Sequence, residues 1–491
     1  MKSAIETRGR AGQRSQPPTL PALTPARKSV YALGDFTINT ALSSLSLIYA
    51  SYFLTQVADL RPALAGLVPL IGRALDAFTD PLMGRISDHT NWSAGRRRPY
   101  FLLGAIPFGV SFALLWLDPP VASQAARFAY YTGAYCLLSL SMTVLSVPYL
   151  AIQPEMTLDY DARTSLNTYR TAGSIFGVFA AVGIRPLANA LGGGAEGFAA
   201  AGGLLGIVLT LPWIAVYRAT FERPEFRARQ PRTGFFDESK GSGLVSKLST
   251  VAFGPILSAL SMSFTRGSFR TLCGLYLTGR IAMDLIAALL ILYVTYWLGR
   301  SGSFEITMLL FLTAVVCALP FWLRVSKSRE KLGTFVIGSV WWMTCSVLLL
   351  FGQPDWPLWV LYLFAIVTGI GYAVVDVMPW AMLGEVIDED DLRTGERREG
   401  IYNGVFTFIR KLGGAIGVFL VMSILDLAGF VRGDTQPESA RQAIRILTGV
   451  APAVFLLLSV LIALRYPLNR AAHAQIRARL AAREQAATPI E

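Results

Sequence analysis

The sequence predicts an all-α integral membrane protein with twelve transmembrane helices in two pseudo-symmetric six-helix bundles. Three observations predict it. Hydrophobic side chains make up 53% of the 491 residues and charged ones only 15%, against about 25% charged in a typical soluble domain. Basic residues fall almost entirely in alternate loops between apolar runs. The second half of the chain also repeats features of the first in the same order. This composition excludes disorder, a collagen-like chain and a disulfide scaffold. Cys136, Cys273, Cys317 and Cys345 all sit in apolar runs and read as small buried side chains. His89 and His473 are the whole imidazole supply. They leave no cluster for zinc or a His-based triad.

A helix needs about 20 apolar residues to cross the hydrocarbon core. Twelve segments meet that need: 29–54, 63–84, 99–117, 127–151, 166–190, 197–217, 273–299, 304–325, 333–352, 357–384, 402–428 and 444–466. Residues 1–28 are polar and rich in Pro and Arg, without the short apolar core of a signal peptide. The division expected is an N-terminal tail at 1–28, a first bundle at 29–218, a basic linker at 219–272, a second bundle at 273–466 and a tail at 467–491. Residues 250–265 are apolar but short and contain Pro255, so an interfacial helix is expected there.

Placing the N-terminus inside puts 32 of the 44 Lys and Arg residues on inner segments and 7 on outer loops, with 5 inside spans. The positive-inside rule therefore puts both termini in the cytoplasm, at the inner membrane of a cell. The net charge of +12 reads as basic loops facing an anionic leaflet, not as nucleic-acid binding.

Four matches relate the halves, each 230–244 residues apart. Ile48–Leu54 (IYASYFL) matches Leu292–Leu298 (LYVTYWL). Pro81, Arg85 and Ser87 match Pro320, Arg324 and Ser326. Glu155, Asp161, Arg163 and Thr164 match Glu385, Asp391, Arg393 and Thr394. Arg170 before AGSIFGVF matches Lys411 before GGAIGVF. Two parallel repeats around a midplane site are a transporter plan.

Charges inside spans cost about 2.5–3.5 kcal/mol each at the bilayer centre on insertion scales, so they normally pair or face a cavity. The first span holds Asp35, the second Arg73, Asp76 and Asp80, the fifth Arg170. Arg280 and Asp284 lie in the seventh, Asp376 in the tenth, Arg410 and Lys411 in the eleventh. Asp76 and Asp80 share one helix face, beside the Thr79 hydroxyl. Either one of them holds a proton, or a cation sits between them, or Arg73 neutralises them in an internal salt-bridge network. Oxygen-only donors suit Na⁺ or H⁺ rather than a transition metal. Asp35 and Arg170 read as opposite charges gripping a polar solute, or as a structural pair, and Lys411 as the group that responds to cation occupancy. Arg280 and Asp284 read as an i, i+4 ion pair, while Asp376 stays open between the two roles. Asp88 with Arg96, Arg97 and Arg98 reads as a clamp on neighbouring helix ends. The acidic clusters near Arg163 and Arg393 read as latches between spans 4 and 5 and spans 10 and 11.

Asp76-Ala-Phe-Thr-Asp80-Pro-Leu-Met-Gly84, then Asp88 and Gly95-Arg-Arg-Arg-Pro99, resembles the signature of the glycoside–pentoside–hexuronide:cation symporters. These are the melibiose-permease-like branch of the major facilitator superfamily. Leu33-Gly-Asp35, Ser146-Val-Pro-Tyr149, Tyr169-Arg170 and Arg410-Lys-Leu-Gly-Gly414 extend the resemblance to about residues 29–466. The resemblance implies the major facilitator fold and cation-coupled uptake of a sugar, glycoside or hexuronide by alternating access. It implies a cation site, for Na⁺ or H⁺, at Asp76, Thr79, Asp80 and Thr143. It implies solute contacts at Asp35, Arg170, Ser146 and Tyr149, with Lys411 linking the two sites. No cofactor beyond the coupling ion is expected, and a monomer is. Melibiose-permease-like members carry Asp where this chain has Ser146 and Trp where it has Leu150. Those departures argue against an α-galactoside and leave a hexuronide, a pentoside or a non-sugar. Vertebrate lysolipid carriers share the Asp-Ala-x-Thr-Asp pattern, so an amphiphile carrier on the same scaffold is the competing expectation. No nucleophile elbow, zinc ligand set or glycine-rich phosphate loop supports an enzyme. A non-transporting sensor would need a signalling domain or a lost cation site, and the sequence has neither feature.

Overall fold

The protein is described here from a computed structural model covering residues 21–90, 92–157, 159–223, 267–395 and 398–487. The segment 250–265, expected as an interfacial helix, lies outside the described residues. All twelve expected spans fall on helices, and no strand forms among the described residues.

Helix α1 is Pro25–Ser44, capped by the Thr24 hydroxyl, and runs on as a π-helix over Leu45–Val57. Helices α2 (Pro62–His89), α3 (Pro99–Leu115) and α4 (Gln124–Met156) follow. Helix α5 is Tyr160–Val182, extended by a short helix at Ile184–Ala190, and α6 is Gly194–Ala219. In the second half α7 is Gly267–Leu292 and runs on as a π-helix over Tyr293–Trp297. The run Phe304–Leu348 holds two helices, α8 and α9, broken at Glu330, whose φ of 63° and ψ of 164° cannot continue a helix. Helices α10 (Leu358–Thr394), α11 (Glu399–Leu427) and α12 (Glu438–Ala463) complete the bundle. A further helix, α13 (Arg470–Ala487), follows the last span.

Among the described residues seven continuous helical stretches are long and apolar enough to cross a membrane, and α5 with its short extension, bent by 41°, makes an eighth. One of the seven is the run that contains both α8 and α9. Helix α2 falls short because Arg73, Asp76 and Asp80 interrupt it, and α3 because it has only 17 residues.

The repeat seen in the sequence is structural. Both π-helical stretches coincide with the IYASYFL and LYVTYWL segments. Each closes alike: Ala58 and Leu298 donate five residues back, then Leu60 and Arg300 donate six back. The first half packs α1 on α5, α3 on α6, and α4 on α2 and α3. The second packs α7 on α11 and α12, and α10 on α8 and α9. Between the halves α2 lies on α11, and the π-helical end of α1 lies on α7. Small residues allow the closest approaches, as expected where lipid removes the hydrophobic drive between helices. A Cβ added at Gly173 or Gly177 of α5 would stand 2.4 Å from the Ala32 or Phe36 carbonyl oxygen of α1.

Helices alternate between two faces. One bears the start of α1, the α2–α3 turn, the α4–α5 turn and α13, and is called the terminal face. The other, the far face, carries the turns after the two π-helices.

Candidate functional site

Four ionisable groups expected to be expensive in a membrane meet between α2 and α11. Lys411 on α11 reaches across to α2, where its Nζ donates to Asp80 Oδ2 at 2.5 Å and lies 3.2 Å from Asp76 Oδ2. Arg73 Nη1 donates to the same Asp76 oxygen at 3.3 Å. Asp76, 1% exposed, also accepts from Ser139 Oγ on α4. Asp80 accepts from Thr143 Oγ1 at 2.7 Å, and Thr143 stands 3.5 Å from the Thr79 hydroxyl. Asp76, Thr79, Asp80 and Thr143 are thus one cluster of oxygen donors, with an ammonium lying between the two carboxylates. Two carboxylates one turn apart repel when both are ionised, and Lys411 supplies the positive charge that holds them together. Oxygen donors of this kind fit a proton or a hard monovalent cation. No group of three or more His, Cys, Asp and Glu side chains suited to a metal ion forms among the described residues.

Ser139 was not singled out in the sequence. It lies four residues before Thr143 on α4, on the same helix face, and that spacing was the available signal.

Asp35 and Arg170 also meet, but on each other. Arg170 Nε donates to Asp35 Oδ2 at 2.6 Å and Nη2 to Oδ1 at 3.1 Å, a two-pronged pair between α1 and α5. Tyr149 Oη donates to Asp35 Oδ2 at 2.7 Å, and Arg170 Nη1 donates to Gln153 Oε1. Tyr31 stacks on Tyr149 with ring centroids 4.5 Å apart. Gly34 explains the Leu-Gly-Asp motif, because a Cβ there would come within 2.6 Å of the Tyr149 ring. Ser146 is half-buried and takes no part in this network.

A cavity of about 340 Å³ lies between the halves. Its charged side is formed by Arg73, Arg280, Asp284, Asp376, Arg410 and Lys411. Nearer the far face its wall is apolar, from Leu42, Leu45, Ile286, Leu290, Phe311 and Val418. Asp35, Arg170, Ser146 and Tyr149 do not line it. Arg280 makes the expected pair with Asp284, at 2.9 and 2.5 Å. It stands 3.8 Å from Asp376, too far for a hydrogen bond. Among the described residues Arg410 makes no ion pair, although it lines the same wall.

The terminal-face clamp forms as its residues suggested. Arg97 donates to Asp88 at 2.7 Å and pairs with Glu155 at 2.8 Å, and Arg96 also donates to Glu155. The matching glutamate of the second half, Glu385, pairs with Lys331 at 2.9 Å. The other acidic clusters are partnered differently from the expectation. Among the described residues the Arg163 side chain donates to the Thr157 carbonyl, at 3.4 Å, and Arg393 is exposed. Asp388 meets His473 at 3.0 Å and Asp391 meets Arg483 at 2.5 Å, both from α13, while Asp390 meets Arg398 at 3.0 Å.

Residues 30–470 match a family model described as MFS/sugar transport protein. An uncharacterised symporter of Synechocystis is 30% identical over 93% of this chain and 97% of its own length. A glucuronide carrier protein homologue of Escherichia coli is 28% identical over 89% of this chain and 92% of its own. A sodium-dependent lysophosphatidylcholine symporter of Danio rerio is 24% identical over 91% and 86%. Among solved structures, one from work on proton-dependent oligopeptide transporters superposes with a TM-score of 0.63 at 13% identity, over 93% of this chain and all of that one. At that identity the likeness concerns the fold alone.

Proposed function

The chain belongs to the MFS/sugar transport family, a multi-pass membrane symporter and not an enzyme, and from that premise we propose that it couples Na⁺ or H⁺ entry to uptake of a glycoside-class solute through competition for Asp76 and Asp80. The observation that carries this is Lys411 lying against both carboxylates. A cation that binds Asp76 and Asp80 displaces the ammonium. Lys411 then moves on the cavity wall, where the solute binds, so that the two occupancies become linked.

The solute in this reading sits in the cavity and not at Asp35 and Arg170, which brace α1 against α5. Asp376 and Arg410 are its polar contacts, because both line the wall and, among the described residues, neither is closed into a hydrogen-bonded ion pair. A sugar, glycoside or hexuronide fits such a mixed donor and acceptor wall. The apolar stretch toward the far face favours a second reading, a solute with an apolar body such as a lysolipid. In both readings the terminal face is cytoplasmic, which the charge asymmetry of the loops supports, and the membrane is the cell's inner one.

The test is uptake into proteoliposomes under an imposed Na⁺ or H⁺ gradient, with a glucuronide, a neutral glycoside and a lysolipid as solutes. Accumulation of a sugar-class solute that is lost in Asp76→Asn and Asp80→Asn supports the first reading. Accumulation of the lysolipid alone supports the second. Accumulation that survives both neutral variants removes the cation site from these residues.

A further inference from the structure

Polar contacts between the two halves are confined, among the described residues, to two places. One is Lys411 with Asp76 and Asp80. The rest lie at the far face. There Arg61 meets Asp426 at 3.0 Å and Gln56 meets the backbone of Val431 and Gly433. Arg185, on the short helix after α5, meets Glu305 in the first turn of α8.

The last pair differs from its neighbours. Arg185 Nε donates to Glu305 Oε1 at 2.6 Å and Nη2 to Oε2 at 3.1 Å, and Nη2 also donates to the Ser301 carbonyl. Its guanidinium carbon lies 5.6 Å from the Tyr52 ring of the first half and 5.6 Å from the Phe304 ring of the second. The side chains of Arg185 and Glu305 are 7% and 16% exposed, whereas Arg61 is 66% exposed. A surface pair such as Arg61–Asp426 holds little. Among the described residues the buried pairs Asp35–Arg170, Arg73–Asp76, Arg280–Asp284 and Arg96–Glu155 each lie within one half, and the other buried pair that spans the halves, Lys411 with Asp76, belongs to the cation cluster. Rigid-body rocking leaves the pairs within one half intact. It cannot leave Arg185–Glu305 intact, because the two residues move with different halves.

We propose that Arg185 and Glu305 are the far-face lock of the transport cycle, closed in this structure and broken whenever the cavity opens to that side. A bidentate buried ion pair suits a reversible closure. Its Coulomb gain is largely offset by the water both groups give up, and separation returns that water. An apolar seal of equal area has no such compensation on opening. Arg185 is also one of few basic residues on the face that the charge asymmetry keeps poor in them. The lock sets which side the cavity faces, so Arg185 and Glu305 position the halves and do not touch the solute.

The experiment needs no solute. A single cysteine replaces Ser46, which lines the cavity, in a background lacking the native cysteines. Its reaction rate with a membrane-impermeant maleimide is measured in right-side-out and in inside-out vesicles. With the lock intact, reaction is slow from the far face. Arg185→Gln and Glu305→Gln each raise that rate about tenfold, the shift expected when one closed state loses its main tie. Arg185→Lys gives a smaller rise, because an ammonium loses the two-pronged geometry. The exchange Arg185→Glu with Glu305→Arg lowers the rate again toward the starting value. Unchanged far-face rates in both Gln variants, with normal elution on size exclusion, overturn the proposal. So does an exchange variant as reactive as the singles. Inverted sidedness with the same rise in rate would leave the lock standing and refute only the proposed orientation of the chain.

Discussion

Removing either charge of Asp35–Arg170 alone strands the other in a nearly dry site, and removing both does not. The side chains are 11% and 16% exposed and are joined by two hydrogen bonds. Breaking a buried pair from one side costs about 3–5 kcal/mol, chiefly from the charge left behind. That is a factor of roughly a hundred to a few thousand in the folding equilibrium. Asp35→Asn with Arg170→Gln leaves amide groups that Tyr149 and Gln153 can still meet, so the double variant should recover about 2 kcal/mol or more of the single-variant loss. The assay is reversible unfolding in mixed micelles for the parent, both singles and the double, read as a double-mutant cycle. Uptake is followed in parallel at matched protein level. A double variant that is stable and transports confirms a brace. A double variant with parental stability but no solute affinity would refute this reasoning and return the pair to the solute site.

Three further outcomes are expected. A cysteine at Ser328, exposed between α8 and α9, should react with impermeant reagent only after permeabilisation of cells; labelling from outside would overturn the orientation. Arg410→Gln should weaken solute affinity about tenfold or more while leaving cation affinity unchanged, since Arg410 lines the cavity and makes no ion pair among the described residues; unaltered solute affinity would exclude it from the site. Ser139→Ala removes a donor to buried Asp76 and should cost about 1.5–3 kcal/mol of stability in the same micelle titration; a neutral result would mean that Asp76 finds another donor.

Hydropathy and loop charge made the helical architecture legible because lipid imposes both directly. The repeat was legible in short matched motifs, and the structure gives two of them a common backbone form, the π-helical ends of α1 and α7. The π geometry itself was not legible, since nothing in IYASYFL marks it. Asp76 and Asp80 were legible because one helix turn fixes their relation before any tertiary contact forms. Their link with Lys411, 331 residues away in sequence for Asp80, was legible from the buried charges as a response to cation occupancy and from the family resemblance, but the direct contact was not. Partner choice was less readable where charges outnumber positions. Asp388 and Asp391 were expected beside Arg393, whereas α13 supplies His473 and Arg483. A polar helix after the last span carries no apolar signal, so its docking was invisible. The cavity wall was underestimated for a related reason. Arg280 and Asp284 satisfy each other on one helix, and a local pair hides its exposure to a central cavity.

The central claim is that a coupling cation and the Lys411 ammonium compete for Asp76 and Asp80. It is tested most directly by titrating purified protein with Na⁺ at fixed pH, and with protons at fixed Na⁺, in the parent and in Lys411→Met. Two unit charges about 4 Å apart at an effective dielectric of 20 interact by about 4 kcal/mol. Even a fraction of that, relieved when Lys411 goes, should tighten binding of the coupling ion by tenfold or more. Asp76→Asn in the same series should abolish the binding. Equal or weaker cation affinity in Lys411→Met would contradict the account.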